Sequence, residues 1–439
     1  MKQEWYINHI FGDPVEDYKK QSGHWIVCNF ETNMGWPDND LIIETEGKQL
    51  LILGLGPERN KLPAIGYLLQ EDENIKDIRF FLNQLLSRLT WATGSHFRFE
   101  GYTGGSFPIR TINNKAYTVG TYGFQISYLP QNLNQEALLA LALFRDGQSL
   151  YNIHEGYSFL SFYKIINLVK KTGKQQKSWV KKNINRLNAT HQKRINEIQN
   201  DGTAIDEYLY ESCRCAVAHA GIDPTINPDN PEDSIRLQKD LPIIRALSKV
   251  MIKDHYNIQT RSDVYNDHLY ELAGFKEIIN DSILDKIKNN ELVSRRELEW
   301  DTRISIRLWC DKRYNLLEGL NVKTKKINEG IVELQAYSDD NLFSIPVYLD
   351  FNQERLYIDY ENPRLPKPLN KIATNHIIIW KTFFQELICN GIIEVWKTDE
   401  QYLLGRKDPL EPINVAIDKT CEVLSSQIEE LEKIRDSYI

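Results

Sequence analysis

Over roughly the first 133 positions, apolar residues come in short β-branched and aromatic bursts separated by turn-forming residues. "WIVCNF", "LIIETEGKQLLILGL" and "RTINNKAYTVGTYGFQISYLP" are the expected strands, with "LGLG" and "YTGGSFP" as turns or loops. Neither glycine-rich stretch has the strand-to-helix setting of a phosphate loop. One stretch, "EDENIKDIRFFLNQLLSRLTW", changes period. Its Ile75, Ile78, Leu82, Leu85, Leu86 and Leu89 recur every three or four positions and predict an amphipathic helix.

From about 134 to 258 the helical period takes over. "NQEALLALALFRDGQSL", "EGYSFLSFYKIINLVKK", "QQKSWVKKNINRLNATHQKRINEIQ", "TAIDEYLYESCRCAVAHAG" and "SIRLQKDLPIIRALSKVMIKD" predict a bundle of helices with short connections. Only the Pro- and Asp-rich "IDPTINPDNPED" interrupts them. Beyond 259 a helical stretch precedes the strand-like "TRISIRLWC", "GIVELQAYS", "FSIPVYLDF" and "RLYIDYE". After the linker "ENPRLPKPLN", Ile417, Cys421, Leu424, Ile428 and Leu431 form one stripe of a helical tail, expected to dock on its own domain. The predicted fold class is α+β. It comprises an N-terminal β-rich domain (1–133), a central helical domain (134–258), a mixed β-rich domain (259–365) and a helical tail (366–439).

Composition adds little beyond a globular class: 41% hydrophobic and 26% charged residues in 439. No run of apolar residues is long enough to span a membrane, and "MKQEWYINHIFGDPVEDYKK" has no signal core, so a cytoplasmic protein with no membrane partner is expected. Six scattered cysteines read as reduced thiols. Cys213 and Cys215 form one C-x-C without a second pair, so no metal and no cofactor are expected.

Charge changes the picture locally. The chain carries −8 overall, yet residues 161–199 hold ten Lys or Arg against one acid, Glu197, a local charge of +9. Such a run is either a solvated helix face or a phosphate-binding surface. On the second reading, Lys170, Lys171, Lys174, Lys177, Lys181, Lys182 and Arg186 are the RNA contacts, with Trp179 available for stacking.

Next in the chain comes "YESCRCAVAHAG", with Arg214 five positions before His219 among small residues. On an α-helix the two are about 140° apart, so both can border a groove between helices. Glu207, Glu211 and Arg214 fall in one stripe, so a carboxylate is expected to hold the guanidinium. Gly221 is placed to end the helix, leaving His219 in its last turn, where the helix dipole favours a protonated ring. A histidine supplies acid–base chemistry and an arginine grips phosphate oxygens, together a metal-free route to RNA cleavage by the neighbouring 2′-OH. The alternative is a surface salt bridge from Arg214 to Glu211. Spacing alone does not decide. R-x4-H is expected about 0.4 times by chance in a chain of this composition, and it occurs twice, the second copy being Arg186 to His191. A longer gap adds Arg261 to His268.

"SCRCAVAHAG", followed by "NPDNPEDSIRLQKDLPIIRAL" and preceded by "ALLALALFRDGQSLYNIHEGYSFLSFYKIINLV", resembles the HEPN superfamily over residues 134–258. Within it, the chain is similar to the branch of ApeA-like antiphage proteins and of proteins labelled MauJ. That resemblance implies a HEPN-like bundle, a catalytic pair at Arg214 and His219 and a composite site shared by a homodimer; the helix stripe adds Glu211 and Glu207 as supporting residues, with Cys215 beside the arginine. It also implies a defence or toxin-type endoribonuclease acting on structured RNA such as tRNA, with a phage-derived trigger as a possible partner. The position after the arginine is often Asn, Asp or His in that family; here it is Cys215. This departure keeps a second reading open: an inactive HEPN scaffold that binds RNA or a protein partner.

Overall fold

The strand pattern closes into two antiparallel sheets, and the chain is α+β. The computed structural model describes residues 8–10, 13–57, 59–112, 120–121, 129–219, 225–227, 229–260, 262–263, 271–294, 297–298, 300, 302–308, 312–388, 392–407 and 417–438. They fall into two units: residues 1–121 with 128–261, and residues 122–127 with 262–439.

In the first unit the strands are β1 (Asn8–Ile10), β2 (His24–Thr32), β3 (Trp36–Pro37), β4 (Leu41–Thr45), β5 (Lys48–Leu53), β6 (Ala64–Leu69), β7 (Phe97–Gly105) and β8 (Gly120–Thr121). Six of them form a sheet in the order β1-β4-β5-β6-β2-β7, and β3 pairs with β8 separately. The β4–β5 hairpin turns on Glu46 and Gly47, with φ of 50° and 71°, the left-handed pair that a tight two-residue hairpin needs. Val15 and Tyr18 of α1 (Asp13–Lys19) pack in one apolar cluster with Trp25, Val27, Ile42 and Leu51 of the sheet. The expected helix is α2 (Ile75–Thr93), opened by the Asn74 side chain and closed by Gly94 in the left-handed conformation. "YTGGSFP" departs from its reading as a loop, because Tyr102–Gly105 continue β7 along β2. Its glycines serve close approach: a Cβ on Gly104 would lie 2.0 Å from the Trp25 carbonyl oxygen.

The same unit holds the helices α3 (Gln135–Leu150), α4 (Glu155–Val169), α5 (Gly173–Asn183) and α6 (Ala189–Asn200). After them come α7 (Ile205–Glu207), a π-helical segment (Tyr208–Cys215), α8 (Ala216–Ala218) and α9 (Pro231–Tyr256). Side chains of Asn134, His154, Thr172, Asn188 and Asn230 cap helix N-termini, so the sequence marks most starts itself. Asn188 splits the single helix expected from "QQKSWVKKNINRLNATHQKRINEIQ" into α5 and α6. The core of the bundle is Phe144, Phe159, Phe162, Tyr163, Ile166, Leu209, Leu241, Ile244 and Leu247. Trp91 of α2 joins it edge-on at 5.2 Å from Phe144.

The second unit contains α10 (Ala273–Ile278), α11 (Asp281–Lys288), β9 (Arg303–Leu308), β10 (Leu320–Asn328), β11 (Ile331–Tyr337), β12 (Ser344–Asp350) and β13 (Arg355–Ile358). It continues with α12 (Lys371–Ile388), β14 (Ile393–Lys397), β15 (Tyr402–Lys407) and α13 (Ile417–Ser437). Its sheet runs β13-β12-β11-β10-β9-β14-β15. Residues 366–439 therefore supply two strands as well as the expected helices. The tail helix α13 docks on α12: Cys421 and Leu424 are buried with Ile388, and the Gln385 Nε2 donates to the Cys421 carbonyl at 3.1 Å and to Ser425 Oγ at 2.9 Å.

Candidate active site

The helix carrying the Arg–His motif is not a plain α-helix. Ile205, Leu209, Cys213 and Ala216 form its buried stripe, while Tyr208–Cys215 winds as a π-helix. The Ala216 N–H bonds back to the Glu211 carbonyl, five residues away rather than four. The helix ends at Ala218. His219 leaves it in extended backbone (φ −134°, ψ 98°), its N–H still on the Cys215 carbonyl at 2.9 Å. Gly221, expected to end the helix, lies outside the described residues.

At this helix end the two motif residues meet. Arg214 Nη1 is 3.4 Å from His219 Nε2 and 3.5 Å from Cys215 Sγ. A guanidinium has donors only, so the contact to the ring is a hydrogen bond when Nε2 carries no proton, the form a general base requires. His219 is exposed and Arg214 half-buried. The guanidinium lies over the Tyr210 ring, 5.7 Å from its centroid.

The carboxylates do something other than expected. Glu207 and Glu211 turn to Lys177, whose Nζ is 3.9 Å from one and 3.6 Å from the other, and no carboxylate among the described residues is within ion-pair distance of Arg214. The physical reason is the extra residue in each π turn, which moves Arg214 off the stripe that an α-helix would align with the two glutamates. The simple Arg214–Glu211 salt bridge fails on the same ground. Lys177 also lies over Tyr210, at 5.5 Å. Gly173 makes room for that tyrosine: a Cβ there would be 2.5 Å from its hydroxyl. Beneath, Tyr163 is fully buried at 6.3 Å from the Tyr210 ring, its hydroxyl without a hydrogen-bond partner among the described residues, and burial pushes its ionisation up.

A buried polar network ties the π-helical segment to its neighbours. Asp240 of α9 has no exposed surface. It accepts from Arg194 Nε at 2.9 Å and from the Tyr208 hydroxyl at 2.7 Å, and the Cys213 thiol is 3.8 Å away. Arg236 donates to that hydroxyl at 3.2 Å and to the Ser212 carbonyl at 3.1 Å. Burial, then the Asp240 and Arg236 charges, act on Cys213 with the net result of raising its ionisation, so it is held as a thiol. Tyr210, Asp240, Tyr208 and Arg236 are absent from the sequence-derived set. The one available signal was an aspartate on an otherwise apolar face, "KDLPII".

The basic run divides. Lys171, Lys174, Lys181, Lys182 and Arg186 are exposed, and Lys170 and Lys177 are half-buried. Lys177 is engaged by the two glutamates, and Arg186 forms a two-pronged ion pair with Asp254, one arm at 2.9 Å. Lys170, Lys171, Lys174, Lys181 and Lys182 have no ion pair among the described residues. Trp179 packs partly against the bundle core rather than standing free. Arg261 and His268, the longer-gap match, lie outside the described residues.

Among the described residues no three His, Cys, Asp or Glu gather as metal ligands, and no helix is long and apolar enough to cross a membrane. No curated protein and no solved structure matches the chain. Residues 140–253, from α3 into α9 and including the whole Arg–His helix, match the family model described as methylamine utilization protein MauJ, and over that span the chain is similar to this family.

Proposed function

We propose that the 134–258 helices form a HEPN-type, metal-independent endoribonuclease, a defence or toxin-type effector that cuts structured RNA such as tRNA. The observation that carries this reading is the approach of Arg214 Nη1 to His219 Nε2 at 3.4 Å, at a surface position where no carboxylate among the described residues pairs with the guanidinium. His219 takes the proton of a ribose 2′-OH, whose oxygen attacks the adjacent phosphorus. The bond from phosphorus to the 5′-oxygen breaks and that oxygen is protonated. The products are a 2′,3′-cyclic phosphate and a 5′-hydroxyl, with no water consumed. Arg214 holds the non-bridging oxygens as charge builds on them. Tyr210 keeps the guanidinium in place, the role first given to Glu207 and Glu211.

A second copy completes the site with its own Arg214 and His219, the second ring protonating the leaving oxygen. Supporting this dimer, Ile153 and Tyr157 at the start of α4 are exposed apolar residues, and Val217 lies against Gly156 in the same turn. RNA enters along Lys170, Lys171, Lys174, Lys181 and Lys182. Replacing Lys181 and Lys182 by Glu weakens RNA binding and lowers the salt slope by about 2.

The test is end-labelled tRNA incubated with the full chain in EDTA. Wild type yields cyclic-phosphate ends, and R214A and H219A each lose about 100-fold or more in rate. Equal cleavage by both variants overturns the assignment. Binding without cleavage by wild type supports the inactive scaffold instead, a reading favoured by Cys215 where the family often has Asn, Asp or His.

A further inference from the structure

Between the β4–β5 turn, the middle of α2 and the chain leading into α3 lies an open-sided cavity of about 490 Å³. Glu46, Gln84, Arg88, Gln131 and Asn132 line it, with Leu133 and Leu138 as its apolar part. This is the size of a small-molecule site, roughly 300–1,000 Å³. It shares no residue with the Arg214–His219 site.

Arg88 is the unusual member. It is 2% exposed, a charge that burial penalises. Only Nη1 is engaged, donating to Glu46 Oε1 at 2.5 Å and to the Pro130 carbonyl at 3.5 Å. The Nε–H is buried without an acceptor, and Nη2 makes no hydrogen bond among the described residues. Nε and Nη2 form one edge of the guanidinium, two parallel donors matched to two oxygens of one anion. An arginine kept only to tie the hairpin to α2 would not need a buried edge without acceptors. Around it, Gln84, Gln131 and Asn132 offer carboxamides, which both donate and accept, and the two leucines offer an apolar surface.

We propose that this cavity binds a small phosphate-bearing molecule of nucleotide size. Its phosphate takes the Nε/Nη2 edge of Arg88, and its polar, flat body lies among the carboxamides and leucines. Glu46 is the internal counter-charge that holds Arg88 when the site is empty and opposes the incoming anion.

Calorimetric titration of the full chain tests this, with R214A and H219A present so that the RNA site does not contribute. The probes are the four nucleoside monophosphates, their nucleosides, inorganic phosphate and glutamate. The expected result is one saturable site per chain for a nucleoside monophosphate, with the nucleoside and glutamate at least about 10-fold weaker. E46Q should tighten phosphate and nucleotide several-fold, Q84A should weaken the nucleotide but not phosphate, and R88Q should abolish both. If R88Q does not fold, the E46Q and Q84A arms decide. Absence of saturable binding in both the R214A/H219A chain and its E46Q derivative overturns the proposal. So does affinity unmoved by E46Q and Q84A, or glutamate binding as tightly as the nucleotide.

Discussion

The chain contains the same spacing twice within one helical bundle, and the two copies behave differently. Arg214 pairs with no carboxylate among the described residues, lies over Tyr210 and reaches His219. Arg186 sits at the end of a 3-10 turn and spends its guanidinium on Asp254 of α9. His191 is in the first turn of α6, half-buried, its Nδ1 without a partner; burial first, then the Arg245 and Lys249 charges, hold its ionisation down. A motif of two residues thus has no chemistry of its own. What separates the copies is who neutralises the arginine and whether the histidine faces a charge it can use or charges that repel its proton.

The largest expected effect attacks the support of the first copy. D240A leaves Arg194 and Arg236 facing a missing carboxylate and should lower unfolding stability by about 3–5 kcal/mol, read by urea denaturation. A loss below about 1 kcal/mol would mean the network is a passenger of the fold. Next, R214A and H219A should each lose cleavage about 100-fold, while R186A and H191A cut tRNA at the wild-type rate. Equal losses in both pairs would erase the distinction. Third, G173A should displace Tyr210 at a cost of about 1–3 kcal/mol and slow cleavage with it. An unchanged rate would remove Tyr210 from the positioning of Arg214. The smallest effect is acid sensitivity of the second copy. His191 has its folded ionisation below the ordinary 6.5, so the unfolded chain binds more protons in the window beneath that value. Stability should therefore fall as pH drops through 6.5 towards the folded value, and H191Q should flatten that dependence in melting curves at pH 5.5 and 7.5. Parallel curves would show that the ring titrates alike in both states.

Much of the fold was legible where local pattern and burial agree. Ile78, Leu82, Leu85 and Leu89 announced α2, and the helical period of 134–258 announced α3, α4 and α9. Strand β10 was missed because lysines dominate "LNVKTKKIN"; its only buried positions are Leu320 and Val322, and its neighbours β9 and β11 define it. The glycines of "YTGGSFP" were misleading, since the same residue serves turns and close strand approach. At the candidate site, Arg214 and His219 were singled out by residue type and by the resemblance of their surroundings to a family. Their environment was not. Lys177 is thirty or more positions from Glu207 and Glu211, and Asp240 is as far from Tyr208, so only packing brings these charges together.

The π-helical winding of Tyr208–Cys215 has a consequence for how this protein can vary. Each side of the segment answers to a different clamp: Tyr208 and Cys213 to Asp240, Tyr210 and Arg214 to the surface. Substitutions change one clamp at a time. Removing a single residue between 208 and 215 would relax the winding to a regular α-helix, which keeps the flanks in phase but changes which way the positions inside the segment face. Cys213 would turn from its pocket and Arg214 from its histidine in the same step. Length is therefore guarded more strictly here than identity, and a library of one-residue deletions should show a sharp gap across this segment, with composition changes tolerated on either flank.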